Sequence, residues 1–387
     1  MFALSSYRLN HWQRVLPMVS AAVLVLVAAC APSPSTSPAP TSAPAKDAPA
    51  AKDASAAQPT SASAAAPTTA PAAKPAAKKA LTYPAVGGGI LWSFAPNLIA
   101  QAKGMFEAEN LEVNFVALQS SAEGCQNLIA RAAEMGQCSL NDMIQVVETS
   151  GAPLIEFMAS SSTSLQYTIM AKQGITTWPQ LKGKTVMVGG PKDNTVFFFR
   201  TMARVNGLQD NDYDFQFAGA SSARYAALKS GAIDATILTD PFDFQAEQEG
   251  FTKLDVLLPK YLNENTYSGG GPAVRRDWAN EHPDEIVSFI RAVNKATAWV
   301  YDPGNKQELF AIMGPKLNAT PENLERSYQR DVVDFKAWSV DGRIKESGVQ
   351  GVLNSILELG NLNAPLPPAT KFYDMTWVER AHRTAGR

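Results

Sequence analysis

Between Leu181 and Pro241 the chain alternates short apolar runs, glycine-rich turns and helical patterns, which restricts the fold more than any other stretch. Thr185–Val188 is a valine-rich run stopped at once by Gly189-Gly190-Pro191, a strand followed by its turn. A helix starts near Asp193 or Asn194, both good N-caps, and runs through Val196, Phe197, Phe199, Met202 and Ala203 to Gly207. A second strand covers Phe215–Phe217, and Ser221-Ser222 open another helix that Ser230-Gly231 close. A third strand, Ala235–Leu238, leads into Thr239-Asp240-Pro241. This order implies a parallel sheet with crossover helices and a loop at the carboxyl end of each strand. A ligand of such a sheet lies outside those ends, where the first helical amides are still unpaired.

The preceding hundred or so residues repeat the pattern. A strand around Tyr83–Val86 gives way to Gly87-Gly88-Gly89 and then Ile90–Ser93. A helix follows, with Ser93 as N-cap and Pro96 in its first turn, and stops at Gly104. Leu111–Val116 is the next strand, Ser120-Ser121 open a helix that ends near Gly136, and Cys138–Leu140 begins the third strand. SAEGCQNLIARAAEMGQCSLND and SARYAALKSGAIDATILTD share one order of serine, helix, glycine, strand and aspartate. Two similar α/β lobes are expected. Gln166–Ala171 crosses into the second lobe, and Tyr267–Val274, broken by Gly269-Gly270-Gly271, leads back. Two such crossings place a hinge beneath a cleft, with glycines giving it backbone freedom. The remainder is helical: Pro283–Val300 has an apolar face, and Thr320-Pro321-Glu322 is a helix start. Lobe I is therefore expected over 81–170 and 270–387, and lobe II over 171–269.

The central stretch also carries a resemblance. LKGK, a strand and GG, then GL, then ALKSGAIDA, a strand and DP resemble the periplasmic substrate-binding proteins of ABC importers. The branch is the SsuA/THI5-like (NMT1-like) one, and the likeness runs from about Pro96 to Trp299. It implies a type II periplasmic-binding-protein fold, two Rossmann-like lobes joined by a two-strand hinge. It further implies capture of a small organic or oxoanionic ligand, such as a sulfonate, taurine, nitrate or a thiamine-pyrimidine precursor, and delivery to a permease and its ATPase.

The first eighty residues fit export. Arg8 and Arg14 precede an apolar core, Val15–Ala29, too short to span a membrane comfortably, and Leu26-Val27-Ala28-Ala29 lead into Cys30. This resembles a bacterial lipoprotein signal, which implies removal of residues 1–29 and lipid attachment at Cys30. Ordinary cleavage with an incidental Cys30 and a retained membrane anchor are the alternatives. Residues 31–80 contain no Val, Ile, Leu, Met or aromatic residue, so burial cannot offset their ordering entropy. Such a linker reaches between roughly 40 Å as a coil and about 150 Å when stretched. Setting aside the two signal arginines and the linker's five lysines and two aspartates leaves 27 basic and 34 acidic residues, a net of −7. That balance argues against nucleic acid as a partner.

The candidate site residues cluster where strands end. Gly189 and Gly190 permit close backbone approach, and the helix beginning at Asn194 and Thr195 offers free N–H groups; a plain strand-to-helix turn is the other reading. Ser93, Ser120, Ser121, Ser221 and Ser222 open helices on the same inferred side, and Gly269 begins the returning crossing. Asn141, Asp142, Thr239 and Asp240 end strands, where they either bond a ligand or cap the next helix. Trp92, beside the first helix start, is a candidate stacking surface, whereas Trp299, Trp338 and any single phenylalanine read as core. Three consecutive phenylalanines, Phe197–Phe199, cannot share one helix face, so at least one is expected to leave the core face. Cys125 and Cys138 form a disulfide or remain two buried thiols; without a CxxC, a metal or redox role is remote. Gly183-Lys184-Thr185 precedes its strand and lacks the first glycine of a phosphate loop.

His11, His282 and His382 are the whole histidine supply, which leaves little for a metal site or a Ser/His/Asp triad. No enzyme activity, metal or cofactor is expected. A THI5-type pyrimidine-synthesis enzyme, the rival on the same fold, resembles this chain only without its cysteine-rich motif and active-site histidine. A sensory binding protein without transport is the third class. The expected form is a monomer, lipid-anchored on the outer side of a bacterial membrane.

Overall fold

The computed structural model describes residues 78–86, 91–161, 167–257, 261–262 and 265–384. The signal segment, Cys30, almost all of the linker and the Gly87-Gly88-Gly89 turn lie outside the described residues. The folded body opens with β1 (Lys79–Val86), two residues earlier than Leu81, followed by α1 (Ala95–Ala102), α2 (Met105–Ala108), β2 (Leu111–Leu118) and α3 (Ser121–Ile129). Next come β3 (Met135–Gln137), α4 (Leu140–Ser150), β4 (Leu154–Glu156) and β5 (Thr168–Ala171). The central stretch forms β6 (Lys184–Val188), α5 (Asn194–Val205), β7 (Tyr213–Phe217), α6 (Ser221–Lys229), β8 (Ala235–Leu238), α7 (Phe242–Gln248) and β9 (Thr252–Val256). The chain returns through β10 (Pro272–Arg275) into α8 (Arg276–Glu281), α9 (Pro283–Tyr301), α10 (Lys306–Leu317), α11 (Pro321–Tyr328), α12 (Glu346–Glu358) and α13 (Thr376–Thr384).

One sheet has the order β7-β6-β8-β5-β9. The strands of the other half form a β1-β2 pair and a β3-β10-β4 sheet, and β1 lies alongside β3. Side chains stand in for the ladder at that junction. The Thr82 N–H donates to Glu134 Oε2 at 2.6 Å and the Val86 N–H to Gln137 Oε1 at 2.8 Å, while Pro84 between them has no N–H to offer. Read as β2-β1-β3-β10-β4, this half repeats the strand arrangement of the other. The sheets are mixed and not wholly parallel. β1–β2, β6–β7 and β6–β8 are parallel, but β5 and β10 run antiparallel to both neighbours. The physical reason is that each is a crossing strand, entering its sheet from the opposite side. The third strand of the first half is Met135–Gln137, and Leu140 already begins α4, because Ser139 caps that helix with its side chain.

The crossing segments bond each other: Ser160 N–H donates to the Gly270 carbonyl at 3.1 Å and Phe157 N–H to that of Pro272 at 3.4 Å. A Cβ on Gly271 would fall 1.8 Å from the Met158 carbonyl oxygen, so only glycine permits this approach. One apolar core joins β1–β4, α1, α2, α9, α10, α11 and α13; a second surrounds α5 and β6 and takes in α4 and α12. Phe197, Phe198 and Phe199 are all buried, against the expectation that one would leave the core. Helix α5 is wrapped on both sides: Tyr167 and Tyr267 pack Phe198, while Trp178, Tyr213 and Phe215 pack Phe199. Cys125 and Cys138 are joined as a disulfide.

Glu156, on β4 behind the crossing, is 1% exposed, and neither carboxylate oxygen has a hydrogen-bond partner. Burial pushes its carboxyl up from 4.5 to about 8. The folded form then keeps a proton that the unfolded chain loses above about 4.5, so stability falls as pH rises between those values. Glu156→Gln is expected to flatten that fall and to melt higher than the parent at pH above 8. Parallel melting-point curves for the two proteins would contradict this assignment.

Candidate functional site

The carboxyl ends of β1, β3, β6 and β8 face one cavity of about 680 Å³ between the two halves. Lobe I contributes Ser93, Ser120, Ser121 and Asp142, and lobe II contributes Gly189, Gly190, Asn194, Thr195, Ser221, Ser222 and Thr239, with Gly269 from the returning crossing. These are twelve of the fifteen residues that the sequence nominates. The helix starts are built differently, and this sets the electrostatics. Ser120 Oγ accepts from the Glu123 N–H at the start of α3, and Glu123 itself accepts from the Gln119 N–H. Ser139 Oγ accepts from the Asp142 N–H and donates to Asp142 Oδ2 at 2.9 Å at the start of α4. Asp193 caps α5 through the Thr195 N–H at 2.8 Å. These three helix starts thus carry their own carboxylates. Helix α6 has no side-chain cap and no acid in its first turn, so its N–H groups keep their positive potential.

Within the first turns of α6 lies Arg224, 3% exposed, whose guanidinium donates to the carbonyls of Ile237, Ala218 and Gly219 and to Ser221 Oγ. Burial lowers its pKa, while Tyr167 and Asp193 act in the opposite direction. On the other wall Asp142 is pushed up to about 6, first by burial and then by the Asp193 carboxylate facing it. The cavity is therefore bipolar. The α6 start and Arg224 supply positive character and Asp142 and Asp193 negative character, with the Asp193 carboxylate acting on both Asp142 and Arg224.

Three nominated residues lie elsewhere. Trp92 is fully buried in the lobe I core, 6.3 Å from the Trp338 ring, and does not line the cavity. It sits in a 3-10 turn that directs its ring inward, and Phe94 takes the expected place on the wall. Asn141 is buried and donates to the Lys192 carbonyl at 3.0 Å, tying α4 to the Gly189-Gly190 loop. Asp240 turns away from the cavity toward Ser327 and Arg330. The sequence reading missed Arg224 and Tyr167, and its placement of Trp338 in the core holds, with that ring also reaching the cavity. Trp338 lines the wall and its Nε1–H donates to the Ser93 carbonyl at 2.8 Å. Arg224 had a signal: it is the one cation in the first turn of a helix opened by two serines.

Two lobes of matching topology around a cavity at their strand ends define the class, the periplasmic-binding-protein fold. The family model described as "NMT1/THI5 like" matches residues 92–305, more than half of the chain, and the chain belongs to that family. A relative from Bacillus subtilis (strain 168), the "Putative aliphatic sulfonates-binding protein", is 29% identical over 217 residues. That match takes in 54% of this chain and 64% of the relative, under two thirds of its length. Among solved structures, the alkanesulfonate-binding protein SsuA from Xanthomonas axonopodis pv. citri bound to MOPS superposes with a TM-score of 0.62 at 13% identity, covering 77% of this chain and 100% of that one. The desulfurization enzyme DSZB reaches 0.59 at 13% identity, covering 80% and 100%. At such identities the likeness is one of fold, and the fold serves a binding protein and an enzyme alike.

Trp92→Ala is expected to act as a core deletion, costing about 3–5 kcal/mol of stability. Denaturant melts should register this loss. A variant with unchanged stability would return Trp92 to the list of surface-facing residues.

Proposed function

We propose that this chain is the substrate-binding component of an ABC importer, taking a small organic ligand into the interlobe cavity for delivery to a permease and its ATPase. One observation carries the reading: comparable helix starts from two lobes converge on a single cavity floored by the crossing segments. A ligand touching both walls favours the closed arrangement over the open one, so a permease that reads closure reads occupancy. The bipolar lining favours a dipolar ligand. An anionic or acceptor group, such as a sulfonate or another oxoanion, suits the α6 start and Arg224, while a donor nitrogen suits Asp142 and Asp193. Phe94 and Trp338 supply apolar wall for the body of the molecule. The name of the B. subtilis relative agrees with the anionic end.

Mass spectrometry of small molecules released on denaturing the purified protein tests this reading, and a retained dipolar ligand is the expected result. Asp142→Asn should then weaken that ligand by about tenfold or more, the worth of one charge-assisted bond. A Cβ on Gly190 meets only Asp193 Cβ, at 3.7 Å, so Gly190→Val should encroach on the cavity with little change in melting. Calorimetry that finds both variants as tight as the parent would place the ligand elsewhere.

The reading extends to export, lipid attachment at Cys30 and action as a monomer beside its permease. Export and lipid attachment rest on the Ala28-Ala29-Cys30 sequence behind an apolar run. Among the described residues no helix is long and apolar enough to cross a membrane. Cys30→Ala should shift the protein from the membrane to the soluble fraction. Retention after carbonate washing would favour a membrane-spanning anchor.

A further inference from the structure

Away from the cavity the two lobes meet a second time, where α7 of lobe II lies against α11 and the π-helical stretch Gln329–Asp334 of lobe I. Arg330 is the centre of this contact. Its guanidinium lies 3.1 Å from Asp240, 3.0 Å from Asp243 and 3.1 Å from Asp331. Around it, Ser327 Oγ donates to Asp240 at 2.8 Å, and Thr168 Oγ1 of β5 donates to Asp243 at 2.8 Å. Gln248 and Asn323 exchange hydrogen bonds at 3.0 and 3.2 Å, Arg326 pairs with Glu247, and the Phe244 ring faces both Arg326 and Arg330.

The placement ties this contact to the cavity. Thr239 and Phe242 line the cavity, while the intervening Asp240 and the next residue, Asp243, hold Arg330. On the other side, the Ala337 N–H donates to the Asp331 carbonyl at 2.8 Å, and the adjoining Trp338 forms cavity wall. Arg330 thus stands directly behind two wall segments, one from each lobe. It is also one guanidinium among three buried carboxylates, so its removal takes away the cation that bonds them across the lobe boundary.

We propose that Arg330 is a positioning residue for capture: by clamping Asp240 and Asp243 to lobe I it sets how far the two lobes stand open. Arg330 does not touch the ligand and acts through Thr239, Phe242 and Trp338. The inference rests on the capture reading, but its primary test needs no ligand. Spin labels on Glu322→Cys in α11 and Asn211→Cys in lobe II, both exposed positions, report the interlobe distance by pulsed electron resonance in the full-length protein. Arg330→Met is expected to lengthen and broaden that distance while melting remains cooperative. Asp240→Asn, which keeps the side chain's shape and the guanidinium, should shift it in the same direction by less, and it decides the matter if Arg330→Met does not fold. For whichever small molecule the parent retains, Arg330→Met should raise the dissociation rate more than the association rate falls. Distance distributions that match the parent in every variant that folds would overturn the proposal, whatever becomes of the capture reading.

Discussion

The structure depends on the backbone contact between its two crossing segments. Gly271 lies so close to the Met158 carbonyl that a side chain there is excluded, and the bonds from Ser160 to Gly270 and from Phe157 to Pro272 bind the crossings together. Because the chain passes between lobes at this point, β5 and β10 enter their sheets reversed and sit inside them instead of at an edge. Each sheet is thereby completed by a strand that belongs, in chain order, to the crossing. That arrangement fixes the carboxyl ends of the remaining strands toward one shared space.

The ligand proposed for that space is argued from how the helices start. A helix start uncompensated by its own acid is a positive end, and one capped by a carboxylate is not. The chain contains both kinds within a single cavity, with α6 and Arg224 among the groups of one kind and Asp142 and Asp193 among those of the other. A simple anion satisfies only one end. The proposed dipolar ligand rests on this lining, and the name of the B. subtilis relative bears on its anionic group alone.

The alternation of strand, glycine turn and helix made much of the fold legible, because period and punctuation are local. Ser221, Gly189 and Thr195 could be nominated for the same reason, since a residue at a strand end faces the cleft wherever the sheet goes. Ring direction is not local. Trp92 turns inward because a 3-10 turn and the Trp338 ring place it in the core, and neither is visible from its neighbours in sequence. Phe197–Phe199 escaped the one-face argument because aromatic residues distant in sequence enclose α5 on both sides. Asp240 resembled a cleft residue by position, but its partner lies ninety residues further on, at Arg330. The reversed strands had the same origin: antiparallel entry is a consequence of the crossing and leaves no mark in hydrophobic pattern.

A crystal structure of the protein purified with its natural ligand tests the central claim most directly. The account predicts density that bridges the lobes, with an acceptor group at the α6 start beside Arg224 and a donor group at Asp142 and Asp193. Density confined to one lobe, or lying outside the cavity beneath Phe94 and Trp338, would contradict it.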